Sequence, residues 1–192
     1  MTQASSPALT SQAAFRALMD AFARPGEVKT LDGAGAPAPL APATAALVHS
    51  LVDYETPVWL DSGFAASPRV ADWIRFHTGA RIVSQSSEAA FALIADPLQV
   101  PDFDQFALGS EEYPDRSTTL ILQIERFDGR AFNLTGPGIK GTRVLAAEPL
   151  PDDFAARLAD NRALFPRGID LVLVAGNAVV ALPRSLRVTM EA

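Results

Sequence analysis

Apolar residues keep helical spacing over most of the first eighty positions of this chain and strand-like spacing over most of the remainder. That order constrains the fold more than any single motif. Phe15, Leu18, Met19 and Phe22 recur at threes and fours, which predicts a helix over about 11–23 that stops at Arg24-Pro25-Gly26. A second helix is expected over 42–53, carrying Leu47, Val48, Leu51 and Val52. A third opens at Ser67-Pro68, a hydroxyl cap followed by proline at the first helical position, and closes at Gly79. Short strands are expected at 57–61, 81–84 and 90–95, followed by an irregular stretch over 96–116. Positions 117–125 form the clearest buried strand, and 131–135 is expected to pair with it across an Asp128-Gly129 turn. A strand at 142–147 and a helix at 151–164 come next, with Asp152 and Asp153 at the favourable end of the helix dipole. Strands at 170–175 and 178–182 flank Gly176-Asn177, a two-residue hairpin signal. Helices early and strands late favour a single α/β domain over 10–192. Its sheet is expected to be mixed and covered by helices, with 1–9 as a frayed lead-in. The Pro/Gly/Ala-rich stretch 32–43 reads as an extended loop, because too few residues precede it to make a separate domain.

A chain of 192 residues buries roughly 70% of its unfolded surface, so its core needs no covalent staple. None is available: the absence of cysteine excludes disulfides, thiolate nucleophiles, cysteinyl zinc and cysteine-ligated iron–sulfur clusters. A reducing cytoplasm is compatible with that composition. Sixteen basic against twenty-two acidic residues give a net charge of −6, which argues against a nucleic-acid partner. No apolar run reaches the ~18 residues of a membrane span, so no membrane partner is expected either. Lys29 and Lys140 are the only lysines, which confines amine chemistry to two positions.

Gly136-Pro137-Gly138-Ile139-Lys140-Gly141 spells a dinucleotide fingerprint, but a strand rather than a capped helix is expected after it. Two readings remain. The loop is a tight turn between strands, or Gly136, Gly138, Lys140 and Gly141 touch a phosphate or phosphonate group. His77 reads as a packed, dipole-assisted structural residue, and His49 sits at the edge of an apolar face. Two histidines without metal-ligand spacing give no metal site. Asp102 and Asp104 alternate with Phe103 and Phe106, which suggests a loop pinned by aromatics with its acids in water. The run Glu111-Glu112-Tyr113-Pro114-Asp115-Arg116 concentrates acids, a phenol and a guanidinium just before the best strand. It could orient a polar substrate, form a salt-bridged loop or face a partner. Near Asn161, the run Phe165-Pro166-Arg167-Gly168-Ile169-Asp170 joins helix to strand. Arg167 and Asp170 are expected to pair there, and Gly168 to supply positive φ. No nucleophile elbow, Walker loop or triad spacing is present, so no catalytic residue is nominated.

Six segments in order resemble the PhnH family of the bacterial carbon–phosphorus lyase system. They are the run from Phe15 to Gly26, Phe76-His77-Thr78-Gly79, Gly109-Ser110-Glu111-Glu112-Tyr113-Pro114, Gly136-Pro137-Gly138-Ile139, Phe165 to Asp170, and Leu182-Pro183-Arg184. Ser185 departs from the threonine expected there but keeps the hydroxyl. The resemblance implies a subunit of a core complex with PhnG, PhnI and PhnJ in organic phosphonate catabolism. That complex displaces adenine from ATP with an alkylphosphonate, giving a ribose 1-alkylphosphonate 5-triphosphate, and a radical S-adenosylmethionine subunit later cleaves the carbon–phosphorus bond. The fold implied is similar to a reduced pyridoxal-phosphate-transferase core that binds no cofactor. A homodimer is implied for the isolated protein, and docking on the radical subunit within the complex. A supporting role fits a chain that cannot hold an iron–sulfur cluster, with Tyr113, Phe103 and Phe106 as docking aromatics, and the isolated chain is then inactive. Two alternatives compete with this: a stand-alone phosphate- or nucleotide-binding enzyme using loop 136–141, and a pyridoxal-phosphate binder using Lys140 or Lys29.

Overall fold

The computed structural model describes residues 7–33 and 35–190. Helix α1 (Pro7–Ala23) leads into a two-residue strand β1 (Lys29–Thr30) and helix α2 (Pro42–Leu51). Strand β2 (Val58–Leu60), helices α3 (Ser62–Ala65) and α4 (Pro68–Thr78), and strands β3 (Ile82–Val83) and β4 (Phe91–Ile94) follow. After three short 3-10 turns come β5 (Thr119–Gln123), β6 (Arg126–Thr135), β7 (Arg143–Glu148) and helix α5 (Phe154–Ala163). Strands β8 (Asp170–Ala175), β9 (Ala178–Leu182) and β10 (Arg187–Met190) complete the fold. Positions 7–9, expected in the lead-in, belong to α1; positions 1–6 lie outside the described residues.

Seven strands form the main sheet in the order β1-β9-β8-β5-β4-β2-β3. The five from β8 to β3 run parallel, β9 pairs antiparallel with β8, and β1 pairs antiparallel with β9, so the sheet is mixed as expected. Strands β10, β6 and β7 form a second, antiparallel sheet. The main sheet is the middle layer. Leu93, Ile121, Val172 and Val174 face the helical side with α1, α2 and α4. Ala92, Leu120, Leu122, Leu171 and Leu173 face the small sheet and α5. Side chains on a strand alternate between faces, so a strand covered on both sides must be apolar at every position. That accounts for the uninterrupted runs in β5 and β8.

Three expectations need correction. Strand β5 does not pair with 131–135; it lies between β4 and β8, and β6 belongs to the other sheet. The Asp128-Gly129 pair looked like a hairpin turn, yet it sits inside β6 where the register with β7 shifts. On α1, Phe15 and Met19 are exposed, and the buried face is Ala14, Leu18 and Ala21. Small alanines let α1 approach the sheet closely, and the bulkier residues are turned outward. The Gly176-Asn177 hairpin, the helix opening at Pro68 and its stop at a left-handed Gly79 all match, although Ser67 makes no side-chain cap bond. No helix among the described residues is long and apolar enough to cross a membrane.

Candidate functional site

In open parallel sheets, ligands usually enter at the carboxyl ends of the strands. Here the polar groups that end β2 and β5 are engaged by the chain's own loops. Asp61 follows β2 and is 3% exposed. Its carboxylate accepts from the Phe64 amide (2.9 Å), the Ala95 amide (2.9 Å) and the Asp96 amide (3.1 Å), tying the ends of β2 and β4 together. At the end of β5, the Gln123 amide oxygen accepts from the Ala41 N–H (2.6 Å) and the Thr44 hydroxyl (2.9 Å). Its nitrogen donates to the Pro39 carbonyl at 3.0 Å. These polar groups are occupied in holding loops.

At the opposite rim, the loops around 108–117, 165–170 and 183–186 converge on Arg184. The Nε atom donates to Asp170 Oδ1 (3.2 Å), and Nη2 donates to Asp170 Oδ2 (2.6 Å) and to the Ser117 hydroxyl (2.5 Å). The Nη1 atom donates to the carbonyls of Pro114 (2.8 Å) and Pro166 (3.3 Å). All five guanidinium N–H groups therefore have partners, and the pair is mostly shielded, with side chains 13% and 22% exposed. The expected Arg167–Asp170 pair is not formed. The β8–β9 hairpin sets Leu171 opposite Leu182, which brings residues 183–184 beside Asp170.

Buried Asn161 fixes the same segment from α5. It donates to the Ile169 carbonyl (2.9 Å) and accepts from the Ile169 amide (2.8 Å). Gly168 has φ 118°, and a Cβ there would lie 2.7 Å from Asn161 Oδ1, so the position requires glycine. Loop 136–141 docks on this rim and on the end of α1. A Cβ at Gly138 would sit 2.3 Å from the Ala23 carbonyl oxygen. Five of the six resembling segments thus meet in one region. Downstream of the glycine loop comes strand β7, so the fingerprint lacks the helix that would receive a pyrophosphate.

Above the Arg184 node, Glu111 and Glu112 are exposed and have no partner among the described residues. Tyr113 is half exposed, and the Arg116 guanidinium lies 4.2 Å from its ring centroid. The loop is firm: the Tyr113 amide donates to the Ser110 hydroxyl (2.9 Å) and the Ser110 amide to the Tyr113 carbonyl (3.1 Å). Lys140 is exposed and has no partner among the described residues. Phe103 and Phe106, expected as docking aromatics, are buried in the core and cannot serve so. The acids beside them stay near water, with Asp102 3.3 Å from Arg157.

Elsewhere, His77 is exposed in a ring cluster with His49, Trp73 and Phe76, at centroid distances of 4.7–5.0 Å. Partial burial holds the His49 imidazole below its ordinary range, with a smaller contribution from His77. Lys29 is bracketed by Asp20 (2.6 Å) and Glu27 (2.9 Å). The hydrogen bonds to Asp20 and Glu27 raise its pKa, the reverse of what an imine-forming lysine needs. No group of three or more potential metal ligands occurs among the described residues.

The Arg184 node was not anticipated from the sequence, where Arg184 entered only within the resembling segment Leu182-Pro183-Arg184. The signal was the hairpin itself, because counting back from Gly176-Asn177 sets Asp170 opposite position 183.

Comparison with known proteins points the same way. The family model described as "Bacterial phosphonate metabolism protein (PhnH)" matches residues 2–189. A Rhizobium meliloti (strain 1021) protein, alpha-D-ribose 1-methylphosphonate 5-triphosphate synthase subunit PhnH, is 48% identical over 187 residues, 96% of this chain and 93% of the relative. The putative C-P lyase subunit protein HtxG of Stutzerimonas stutzeri is 34% identical over 181 residues, 94% of this chain and 86% of the relative.

Proposed function

Because this chain belongs to the PhnH family of bacterial phosphonate metabolism proteins, we propose that it is a supporting subunit of a carbon–phosphorus lyase assembly. Its role is to let that assembly form a ribose 1-alkylphosphonate 5-triphosphate from ATP and an alkylphosphonate, with release of adenine. The observation that carries this reading is the contrast within the Arg184 rim. Arg184 and Asp170 in its floor are bonded to each other and to the surrounding loops, while Glu111, Glu112 and Tyr113 stand exposed on a firm loop. Such an arrangement presents a shape and lacks a poised base or nucleophile. The partners are the other core subunits, PhnG, PhnI and PhnJ, in the cytoplasm, and a homodimer forms when they are missing. The mixed sheet is consistent with a reduced pyridoxal-phosphate-transferase core, and the ion-paired Lys29 argues against a retained Schiff base.

Co-expression with the other subunits tests the reading. The chain should migrate with them on a sizing column, and replacing Glu111, Glu112 and Tyr113 by alanine should release it. Persistent separation of the wild-type chain from its partners would count against the proposal.

A further inference from the structure

One hollow at the Arg184 rim is not used by the loops around it. It measures about 280 Å³ and is lined by Pro137, Arg162, Phe165 and Ser185. Arg162 donates once, from Nε to the Ser185 carbonyl at 3.2 Å, and neither of its Nη atoms has a partner among the described residues. That single bond fixes the guanidinium at the pocket while leaving four N–H donors for something else. Phe165 is 61% exposed, a large apolar ring at the mouth. No carboxylate lines the hollow: Asp160, two residues before Arg162, lines a separate hollow with Asp102 and Arg157, and Asp170 is bonded to Arg184. Lys140 lies in the same glycine loop as Pro137, and Arg167 follows Phe165 by two positions; neither has an acidic partner among the described residues. In a chain of net charge −6, this is a local excess of uncommitted positive charge beside an aromatic face.

We propose that this hollow binds a phosphate- or phosphonate-type oxyanion through Arg162, with Phe165 stacking on a planar ring carried by the same ligand, the chemistry of a nucleotide. A guanidinium fork with free N–H groups matches an oxyanion in bidentate fashion. An exposed phenylalanine offers a base the stacking that polyphosphate alone does not gain. The ligand class rests on the phosphonate-handling reading above, but the binding itself needs no partner subunit.

The test is amide NMR on the isolated full chain, titrated separately with ATP, tripolyphosphate, methylphosphonate and adenosine. ATP should shift the amides of Gly136, Gly138, Lys140 and Ser185 and bind more tightly than tripolyphosphate. Replacement of Arg162 by alanine should weaken ATP and tripolyphosphate binding about tenfold or more, whereas Arg162→Lys should retain part of it with an unchanged spectrum otherwise. Phe165→Ala should weaken ATP about fivefold or more and leave tripolyphosphate as it was. Stronger response to methylphosphonate than to ATP would keep the oxyanion site and overturn the stacking half of the proposal. Absence of shifts with all four probes, shifts insensitive to Arg162, or adenosine binding as well as ATP would overturn it altogether. If binding fails while co-purification with the other subunits persists, the site is wrong and the subunit reading stands.

Discussion

The two rims of the main sheet use buried charge differently. At the carboxyl ends, Asp61 and Gln123 are turned inward onto backbone amides, a carbonyl and the Thr44 hydroxyl, and they hold loops. At the amino ends, Arg184 and Asp170 do the same job one layer down, and the loops they hold carry exposed acids and aromatic rings. The lesson concerns separability. A side chain that only holds loops cannot be changed without loss of the fold, whereas one displayed on a held loop can. At the carboxyl rim, where an enzyme of this architecture would place its substrate, Asp61 and Gln123 are of the first kind. The amino rim has both.

The largest test of that contrast is Arg184→Ala. It leaves the mostly shielded Asp170 without its cation and the Pro114 and Pro166 carbonyls without a donor, which should cost about 3 kcal/mol in urea unfolding. Next is Asp61→Ala, which orphans the amides of Phe64, Ala95 and Asp96 and should cost about 3 kcal/mol. Binding to partner subunits should fall only in step with folding in this variant, since Asp61 is buried and touches no partner directly. Alanine at Glu111, Glu112 and Tyr113 together should change stability by less than about 1 kcal/mol while abolishing co-migration. Equal loss of stability and assembly in the triple variant would erase the distinction between the rims.

The smallest effect lies away from both rims, at the ring cluster of α2 and α4. His49 titrates below the ordinary imidazole range because burial penalises its charged form. The unfolded chain then takes up this proton at higher pH than the folded one. Stability is therefore full above the unfolded value near 6.5 and declines as pH falls from there toward the folded value. Histidine NMR should show a low midpoint for His49, and His77→Ala should raise it slightly.

Local features were legible in the sequence. The Gly176-Asn177 turn, the Gly79 stop and the strand after the glycine loop depend on residues a few positions apart, and each occurs as expected. Nonlocal pairings were not. An all-apolar strand such as β5 announces burial on two faces but not its neighbours, and an adjacent Asp-Gly suggested a hairpin partner that the structure gives to another sheet. The same failure recurs in the site. Arg167 was paired with Asp170 because it is three residues away, when the true partner lies fourteen residues on, across a hairpin. Aromatic type alone also misled, because Phe103 and Phe106 are core residues whereas Phe15, Phe76 and Phe165 are exposed.

Adenine release is the most direct measure of whether this chain supports chemistry or performs it. With ATP and methylphosphonate, the purified chain alone should release none, and adding it to the remaining subunits should restore release that those subunits lack without it. Sustained adenine release by the solitary chain, abolished by changing one of its own side chains, would contradict the account.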